Sequence, residues 1–310
     1  MASEAEAAAP PGGSSSPLLR RLNKLLLRSE ALRGYALLSP TMIVMIVTMC
    51  VPIGLTIAYS FWTQDYLDID TSFTLANYES ALTREIYRAL LLRSLMISGT
   101  VTVITVVIAY PMAYYVAFHV HRNKLGWIIL LSIPFLTSYL LRVFAWKVIL
   151  GYEGVINSGL IGLGIIEEPL AVLLYNPTSV IITLTHAWAA FAILPIFVSL
   201  EKIDRSLLEA ATDLGDGPVM RFLRITLPLS LPGVIAASLM IFIPTVGDYV
   251  TPDLVGGRDG RMIANMIRAQ FGRANNWPLG ASLSLIMMCT VTIISLAYIW
   301  LTSFLTKRIS

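Results

Sequence analysis

The sequence predicts an all-α integral membrane protein with six transmembrane helices, and three observations lead to that fold class. The 310-residue chain is 56% hydrophobic and only 13% charged, about half the charged share of an ordinary soluble domain. Its mean hydropathy is +0.74, and a soluble globule of this size could not bury so much apolar surface. Six nearly charge-free segments are each long enough to cross a hydrocarbon core ~30 Å thick. A soluble enzyme, a disordered chain and a secreted disulfide scaffold are therefore excluded.

The six apolar segments predict the transmembrane spans. Backbone groups inside lipid must be hydrogen-bonded within their own segment, so each span is expected to be a helix. The predicted spans are residues 35–61, 94–118, 125–150, 179–200, 227–250 and 279–304. The apolar segment 160–174 is shorter and carries Glu167, Glu168 and Pro169, so we predict an interfacial or re-entrant piece there. The prolines within the spans indicate kinks, either as ordinary irregularity or along a pathway that opens and closes.

The N-terminal residues 1–34 are predicted to be a basic tail outside the membrane domain, which spans residues 35–310. The first eighteen residues are mostly Ala, Pro, Gly, Ser and Glu, a composition typical of disorder. The first span is too long for a signal-peptide core and no small-residue cleavage site follows it, so we expect it to remain in the mature protein.

The distribution of Lys and Arg predicts the orientation of the spans. Thirteen of the 22 Lys and Arg residues lie in the N-terminal tail, the second and fourth loops and the C-terminus. Positively charged loops are retained in the cytoplasm. Both termini are therefore predicted to face the cytoplasm, and the protein is expected in the bacterial inner membrane.

No catalytic or metal-binding pattern stands out in the sequence. Cys50 and Cys289 lie in apolar runs and are expected to be buried hydrophobes. His119 and His121 lack nearby Cys or carboxylate ligands at metal-binding spacing, and no phosphate-binding glycine loop precedes a lysine. Ser282 and Ser284 have no base tied to them. The chain is therefore predicted to be non-catalytic and to bind no cofactor itself.

The fourth loop, residues 201–226, carries the most specific signal. Asp204 is a good N-cap residue and Gly215 a good residue after a helix C-terminus, which predicts a short helix within 204–215. Its apolar positions are expected to form one stripe: Leu207, Leu208, Ala211 and Leu214. Pro218 starts a second helix that runs through Phe222 into the fifth span. Such a helix either transmits a push from a cytoplasmic partner or simply rests on the lipid surface.

The same loop resembles the EAA signature of binding-protein-dependent ABC importer permeases. The resemblance rests on Leu208-Glu209-Ala210-Ala211, Asp213-Leu214-Gly215 and Ile225-Thr226-Leu227-Pro228. It implies a MetI-like, type I permease fold in which this loop is the coupling helix that docks on an ATPase subunit. The coupling residues implied by the resemblance are Asp204, Leu208, Glu209, Ala210, Ala211, Asp213, Gly215 and Phe222.

Two further stretches resemble the spermidine/putrescine permeases. They are Ile133-Pro134-Phe135-Leu136-Thr137-Ser138-Tyr139 with the residues up to Trp146, and Phe242-Ile243-Pro244-Thr245-Val246-Gly247-Asp248 with the residues up to Gly257. The resemblance covers roughly residues 36–305. It implies import of a polyamine, with a second permease subunit, two ATP-binding subunits and a solute-binding protein as partners. ATP and Mg²⁺ would be bound by the ATPase partners.

Charged residues inside the predicted spans mark candidate positions along a solute pathway. Such charges are costly in lipid, and each one therefore needs a partner, an interface or a function. Lys147 is expected to extend to the interface. Arg142 and Asp248 are expected at similar depth, either as a structural ion pair or with Asp248 facing a cationic solute. Nearby aromatic faces could hold an ammonium group. Together, the charged and aromatic candidates for the pathway are Tyr139, Arg142, Trp146, Trp188, Asp248 and Tyr249.

The sequence leaves other functions open. The same kind of permease could import an amino-acid-like solute, an opine, a phosphonate or a metal chelate. A stand-alone six-helix channel or secondary carrier would need no ATPase, and an intramembrane enzyme lacks the required nucleophile and base. Whether the second permease subunit is a different chain or a second copy is also open.

Overall fold

The computed structural model describes residues 30–66, 68–173 and 175–309. The predicted tail therefore lies almost wholly outside the described residues, including its basic cluster Arg20, Arg21, Lys24 and Arg28. The chain divides into two units, one up to Thr56 and one from Ile57 onward. Helix α1 runs over Glu30–Ser60, where the sequence predicted a span over 35–61.

The described chain is built almost entirely from helices. A two-stranded antiparallel hairpin follows α1, with β1 at Thr63–Asp65 and β2 at Asp68–Asp70; the sequence did not predict it. The remaining helices are α2 (Ala76–Thr83), α3 (Glu85–Phe118), α4 (Lys124–Ser132), α5 (Tyr139–Ile149), α6 (Val155–Gly162), α7 (Pro177–Glu201), α8 (Arg205–Asp213), α9 (Pro218–Arg221), α10 (Leu227–Val246), α11 (Ile263–Gly272) and α12 (Trp277–Ile309). Short 3₁₀ turns lie at Ile133–Leu136 and Ala171–Leu173.

Within the described ranges, five helical segments are long and apolar enough to cross a membrane, and a bent pair would make a sixth. The five are Leu37–Ser60, Glu85–Phe118, Pro177–Glu201, Pro218–Val246 and Trp277–Phe304. The all-α membrane fold is thus confirmed. The predicted short segment at 160–174 holds the end of α6 and one 3₁₀ turn.

The third predicted span, 125–150, is interrupted by a sharp bend near Pro134, one of the prolines that indicated kinks. The segments Lys124–Leu136 and Tyr139–Ile149 meet at a bend of 79°. Pro134 lies at the start of the 3₁₀ turn before the bend. Proline lacks the N–H needed for the helical ladder and its ring clashes with the preceding turn, so the helix cannot continue unchanged.

The main core lies where α3, α7 and α10 pack together. Val101, Leu184 and Ile241 are fully buried there. Gly233 of α10 allows a close approach to α7, because a Cβ atom there would lie 2.5 Å from the carbonyl oxygen of Pro195. A second, smaller cluster joins α2, α3, α11 and α12 through residues that include Leu90, Ile263 and Leu283.

The expectation that both cysteines are buried is wrong. Cys50 and Cys289 are free and exposed rather than buried; apolar residues on the outer face of a membrane helix contact lipid rather than the protein core, which explains the difference. The fifth predicted span, 227–250, ends earlier as a helix, because α10 stops at Val246. Gly247, Asp248 and Tyr249 therefore lie at a break before the next helical turn.

Candidate functional site

Helix α8 begins directly after Asp204, the N-cap residue that the sequence predicted. The carboxylate of Asp204 accepts a 3.0 Å hydrogen bond from the backbone N–H of Ser206, and this bond holds the pKa of Asp204 below its ordinary value. A side-chain acceptor at this position satisfies one of the free N–H groups of the first turn. The negative charge also complements the positive end of the helix dipole.

Helix α8 ends in a Schellman motif centred on Gly215. The N–H of Gly215 bonds to the carbonyl of Thr212 at 2.9 Å, and the N–H of Asp216 bonds to the carbonyl of Ala211 at 3.0 Å. Gly215 has a φ of +93°, in the left-handed region. Glycine adopts this conformation without the steric penalty that a Cβ atom brings. The predicted C-terminal glycine is therefore confirmed in its local geometry.

The apolar stripe predicted for α8 does not form one buried face. Ala211 is buried and Leu208 is partly buried, but Leu207 is 47% and Leu214 is 88% exposed. Leu207 borders a cavity of about 610 Å³ against α7 and α10. Only a narrow side of α8, at Leu208 and Ala211, packs on the bundle, while Leu214 lies at the C-terminal cap. Most of its surface is thus available to a partner.

The acidic residues of α8 lie on its exposed side. Glu209 and Asp213, with Ala210 between them, are exposed. Within the described part of the chain neither carboxylate takes part in an ion pair. Glu209 and Asp213 line a cavity of about 400 Å³, whose wall also includes Tyr114, Phe118, His119, Arg205, Leu208, Thr212 and Arg221.

Phe222, the remaining loop candidate, faces the bundle rather than solvent. Its ring packs edge-on against Tyr110 and Tyr114 of α3, at centroid distances of 5.7 Å and 6.2 Å. It lies in a π-helical turn, Phe222–Thr226, that makes α9 and α10 one continuous segment. Arg221 next to it donates a 2.8 Å hydrogen bond to the hydroxyl of Thr212 on α8. Helix α8 is therefore joined to α9 by Arg221, and the turn after α9 is joined to α3 by Phe222.

A polar cluster joins α5 to the break after α10. The hydroxyl of Tyr139 donates to the carboxylate Oδ2 of Asp248 at 2.6 Å and lies 2.6 Å from the hydroxyl of Thr251. Asp248 Oδ1 accepts from the backbone N–H of Val250 at 2.8 Å. All these donors are neutral, and no ion pair of Asp248 is found among the described residues. The carboxylate of Asp248 is therefore held by hydrogen bonds and has no cationic partner in the described chain.

Of the two alternatives predicted for Arg142 and Asp248, the structural ion pair is therefore wrong. The guanidinium of Arg142 instead donates to three carbonyl oxygens: Ala187 at 2.9 Å, Thr137 at 3.1 Å and Phe135 at 3.3 Å. It also lies 4.8 Å from the centroid of the Phe135 ring. The break in the third span frees the carbonyls of Phe135 and Thr137, and Arg142 satisfies them while binding α7.

Trp146 and Trp188 lie in separate surroundings. The indole N–H of Trp146 donates a 3.0 Å hydrogen bond to Nδ1 of His186, so that nitrogen carries no proton. Trp188 packs its ring against Phe191 at 5.3 Å and against the main core. Trp146 thus lies beside the residues that Arg142 contacts, whereas Trp188 packs α7 against the main core.

The ring of Tyr249 makes a cation–π contact with an arginine of the same chain. The guanidinium carbon of Arg268, on α11, lies 4.9 Å from the centroid of the Tyr249 ring. The same guanidinium donates to the carboxylate of Asp253. The aromatic face predicted for Tyr249 is therefore one that binds a cation in this structure.

Sequence reasoning missed several residues of these clusters. Thr251 and Asp253 follow Asp248 at three and five residues. An Asp directly before a helical turn is a capping signal, and this signal could have placed Thr251 near Asp248. Arg268 and Asn265 come from α11, and His186 from α7. No local pattern indicates that these helices meet the end of α10.

Comparisons with known proteins agree on one family. The family described as "Binding-protein-dependent transport system inner membrane component" matches residues 31–310. The spermidine/putrescine transport system permease protein PotB of Escherichia coli (strain K12) is 35% identical over 254 residues, which cover 82% of this chain and 92% of that protein. The protein of the same name from Haemophilus influenzae is 33% identical over 260 residues, covering 84% of this chain and 90% of that protein.

Solved structures confirm the fold. A chain of a bacterial ABC transporter involved in the import of the acidic polysaccharide alginate aligns with a TM-score of 0.66 at 18% identity, covering 94% of this chain and 99% of that chain. The alginate transporter in complex with a periplasmic protein bound to an alginate pentasaccharide gives 0.69 at 17% identity, covering 93% and 98%. At these identities the likeness concerns the fold alone.

Proposed function

Because the chain belongs to the family of binding-protein-dependent transport system inner membrane components, we propose that it is one of two permease subunits of an ABC importer that carries a polyamine such as spermidine or putrescine. The chain is a multi-pass inner-membrane transport subunit. The polyamine assignment is supported by relatives named for spermidine and putrescine, which are about 35% identical over 82% of this chain.

The observation that carries the coupling role is the exposed helix α8. It is capped at both ends and packs on the bundle only along a narrow side that includes Ala211. A rigid helix with an exposed acidic side suits a groove on an ATPase subunit. Glu209, Ala210 and Asp213 would form the contact surface, while Asp204 and Gly215 would fix the two ends of the helix.

Motion of α8 would reach the bundle through two contacts. Arg221 joins α8 to α9 through its bond to Thr212. Phe222 transfers the displacement to Tyr110 and Tyr114 of α3. A π-helical turn is a frequent site of functional adjustment within a helix, and this one connects the loop directly to α10.

The solute pathway would pass the cluster at the break after α10. Asp248 offers a carboxylate whose charge is not cancelled by a cation among the described residues, and Tyr139 holds it in place. A protonated amine would bind there by charge and by hydrogen bonds. Arg142 and Trp146 would shape the adjacent wall of the pathway, with Tyr249 on the far side of Asp248 and Trp188 supporting α7.

The charge distribution supports an orientation for the chain. With 13 of 22 Lys and Arg on one side, α8 and both termini would face the cytoplasm. Two ATPase subunits would bind ATP and Mg²⁺ on that side, and a solute-binding protein would deliver the polyamine on the other. The second permease subunit would complete the pathway.

The proposal is tested by expressing the chain with its partner subunits and measuring uptake. A tag on this chain should co-purify untagged ATPase subunits, and the reconstituted complex should accumulate labelled spermidine in vesicles only with ATP and the solute-binding protein. Purified chain that transports without ATP would contradict the importer assignment. A solute-binding protein that selects a phosphonate or an amino acid would contradict the polyamine assignment alone.

A further inference from the structure

The guanidinium of Arg268 is held by an aromatic ring and a carboxylate from a different part of the chain. Its central carbon lies 4.9 Å from the centroid of the Tyr249 ring, and its Nη1 donates to Oδ2 of Asp253. A cation placed over an aromatic face and bonded to a carboxylate is the usual way proteins bind ammonium and guanidinium groups. Arg268 therefore identifies a cation-binding geometry.

Asn265 holds the two acceptor residues in place independently of Arg268. Its side-chain amide nitrogen donates to the backbone carbonyl of Tyr249 and to Oδ1 of Asp253, both at 2.8 Å. Its side-chain oxygen accepts from the N–H of Met262 at 2.9 Å. Both amide protons are thereby used, and Oδ2 of Asp253 is left for a cation. The site would keep its shape if Arg268 moved away.

The site can be reached from outside the protein. The side chain of Arg268 is 59% exposed and that of Asp253 is 38% exposed. Asp253, Asn265 and Arg268 line a cavity of about 480 Å³. An exposed ion pair with a long, flexible side chain is weak and exchanges readily, so an external cation can compete with Arg268.

The site also adjoins the carboxylate of Asp248. Tyr249 follows Asp248 directly, and Asp253 follows five residues later, with its N–H bonded to the carbonyl of Tyr249. Two carboxylates a few residues apart, one bound to an internal cation and one without a charged partner in the described chain, suit a solute that carries more than one positive nitrogen.

We propose that Tyr249 and Asp253 form a binding site for one positively charged nitrogen of the imported solute, and that Arg268 occupies this site until the solute displaces it. The identity of the solute as a polyamine rests on the function proposed above. The cation site itself rests on the contacts of Arg268 and Asn265.

Displacement of Arg268 has a measurable consequence. A solute that must compete with an internal ligand binds with an affinity reduced by the fraction of sites that are free. If Arg268 fills roughly four sites in five, its removal should tighten the apparent Kd about fivefold. Arg268→Gln removes the charge, whereas Arg268→Lys keeps a cation near the ring and should resemble the wild type.

The experiment measures equilibrium binding of labelled spermidine and of labelled methylguanidinium to the purified permease and ATPase complex without the solute-binding protein. Arg268→Gln, and Arg268→Ser as a second variant, should bind both probes several-fold more tightly. Adding Asp253→Asn or Tyr249→Leu to Arg268→Gln should abolish the gain. Arg273→Gln is the matched control, because Arg273 lines the same cavity and forms no ion pair within the described ranges.

The outcomes separate this inference from the proposed function. If Arg268→Gln and Arg273→Gln bind the probes equally, or if Asp253→Asn leaves the gain intact, the cation site is wrong even when the wild-type complex imports spermidine. If the wild type fails to import spermidine but Arg268→Gln still binds methylguanidinium more tightly through Asp253, the cation site stands and the polyamine assignment fails.

Discussion

The hydroxyl of Tyr139 donates a 2.6 Å hydrogen bond to the carboxylate of Asp248. This bond links α5, the second segment of the bent pair, to the break after α10, so that two helix interruptions meet at one polar point. Irregular backbone within a membrane protein is tolerated where it lines a cavity or is buried in protein. The meeting of two breaks around one carboxylate is the feature that best fits a solute pathway.

Replacement of Asp248 by asparagine is expected to lower uptake of a cationic solute about tenfold, because it removes a charge contact of roughly 1–2 kcal/mol. The amide oxygen can still accept from Val250, so the local turn should persist. Uptake of labelled spermidine into vesicles measures the effect, and the yield of assembled complex reports on folding. Tyr139→Phe keeps the charge and should reduce uptake less. Equal uptake by Asp248→Asn and the wild type would leave Asp248 a purely structural residue.

Glu209→Lys is expected to uncouple ATP hydrolysis from uptake while the subunit stays in the membrane. Glu209 is exposed and lies with Asp213 on the acidic side of α8, so a lysine there reverses part of the charge that this side offers to a partner. A reversed charge at an interface should lower uptake by about tenfold or more. Vesicle uptake and ATP hydrolysis are measured on the same sample.

The control for this reversal is Glu79→Lys, an exposed acid on α2 far along the chain from α8. Its uptake should match that of the wild type. Full uptake by Glu209→Lys would instead show that the acidic side of α8 is not a contact surface.

Gly215→Asp is expected to impair coupling through backbone strain. Gly215 has a φ of +93°, and a residue with a Cβ atom pays about 1 kcal/mol or more in that region. The strain would disturb the end of α8 and reduce transport without expelling the subunit from the membrane. Gly217→Asp adds the same charge two residues away at a φ of −68°, with open space around both positions. If both variants reduce transport equally, charge rather than conformation is the cause.

The two ends of α8 could be predicted from the sequence, whereas the polar clusters could not. Asp204 and Gly215 act on the backbone within three or four residues of themselves, so their residue types suffice. Asp248 contacts α5, which lies more than a hundred residues earlier in the sequence. Tyr249 contacts α11, which lies about twenty residues later. Tertiary packing brings these helices together, and no local pattern predicts it. The bend of the third span was signalled by Pro134, but its 79° angle could not be read from local sequence, since the contacts beside it include one from Arg142 to the carbonyl of Ala187, 45 residues away.

Gly233→Val is expected to destabilise the bundle by about 1–3 kcal/mol through overpacking. A Cβ atom at Gly233 would lie 2.5 Å from both the carbonyl oxygen of Pro195 and Cβ of Ser199, and backbone atoms cannot easily move aside. Thermal unfolding of the purified complex should show a lower midpoint. Gly99→Val on α3 is the control, since nothing lies within 4 Å of a Cβ atom there. A similar loss in both variants would point to helix propensity rather than to close packing.

Arg142→Met is expected to destabilise the third span by about 1–3 kcal/mol, because the carbonyls of Phe135, Thr137 and Ala187 would lose their charged donor in a region poor in water. Lys147→Met removes a charge from the same helix and should have little effect, since no ion pair of Lys147 is found in the described chain. Thermal unfolding of the complex measures both.

A double-mutant cycle then separates the carbonyl contacts from an ion pair. Because Arg142 binds carbonyls and Asp248 binds neutral donors, Arg142→Met and Asp248→Asn should act on stability additively, within about 0.5 kcal/mol. An ion pair between the two residues would instead make the double variant less destabilised than the sum of the single ones. Such coupling would contradict the role of Arg142 as the group that closes the break in the third span.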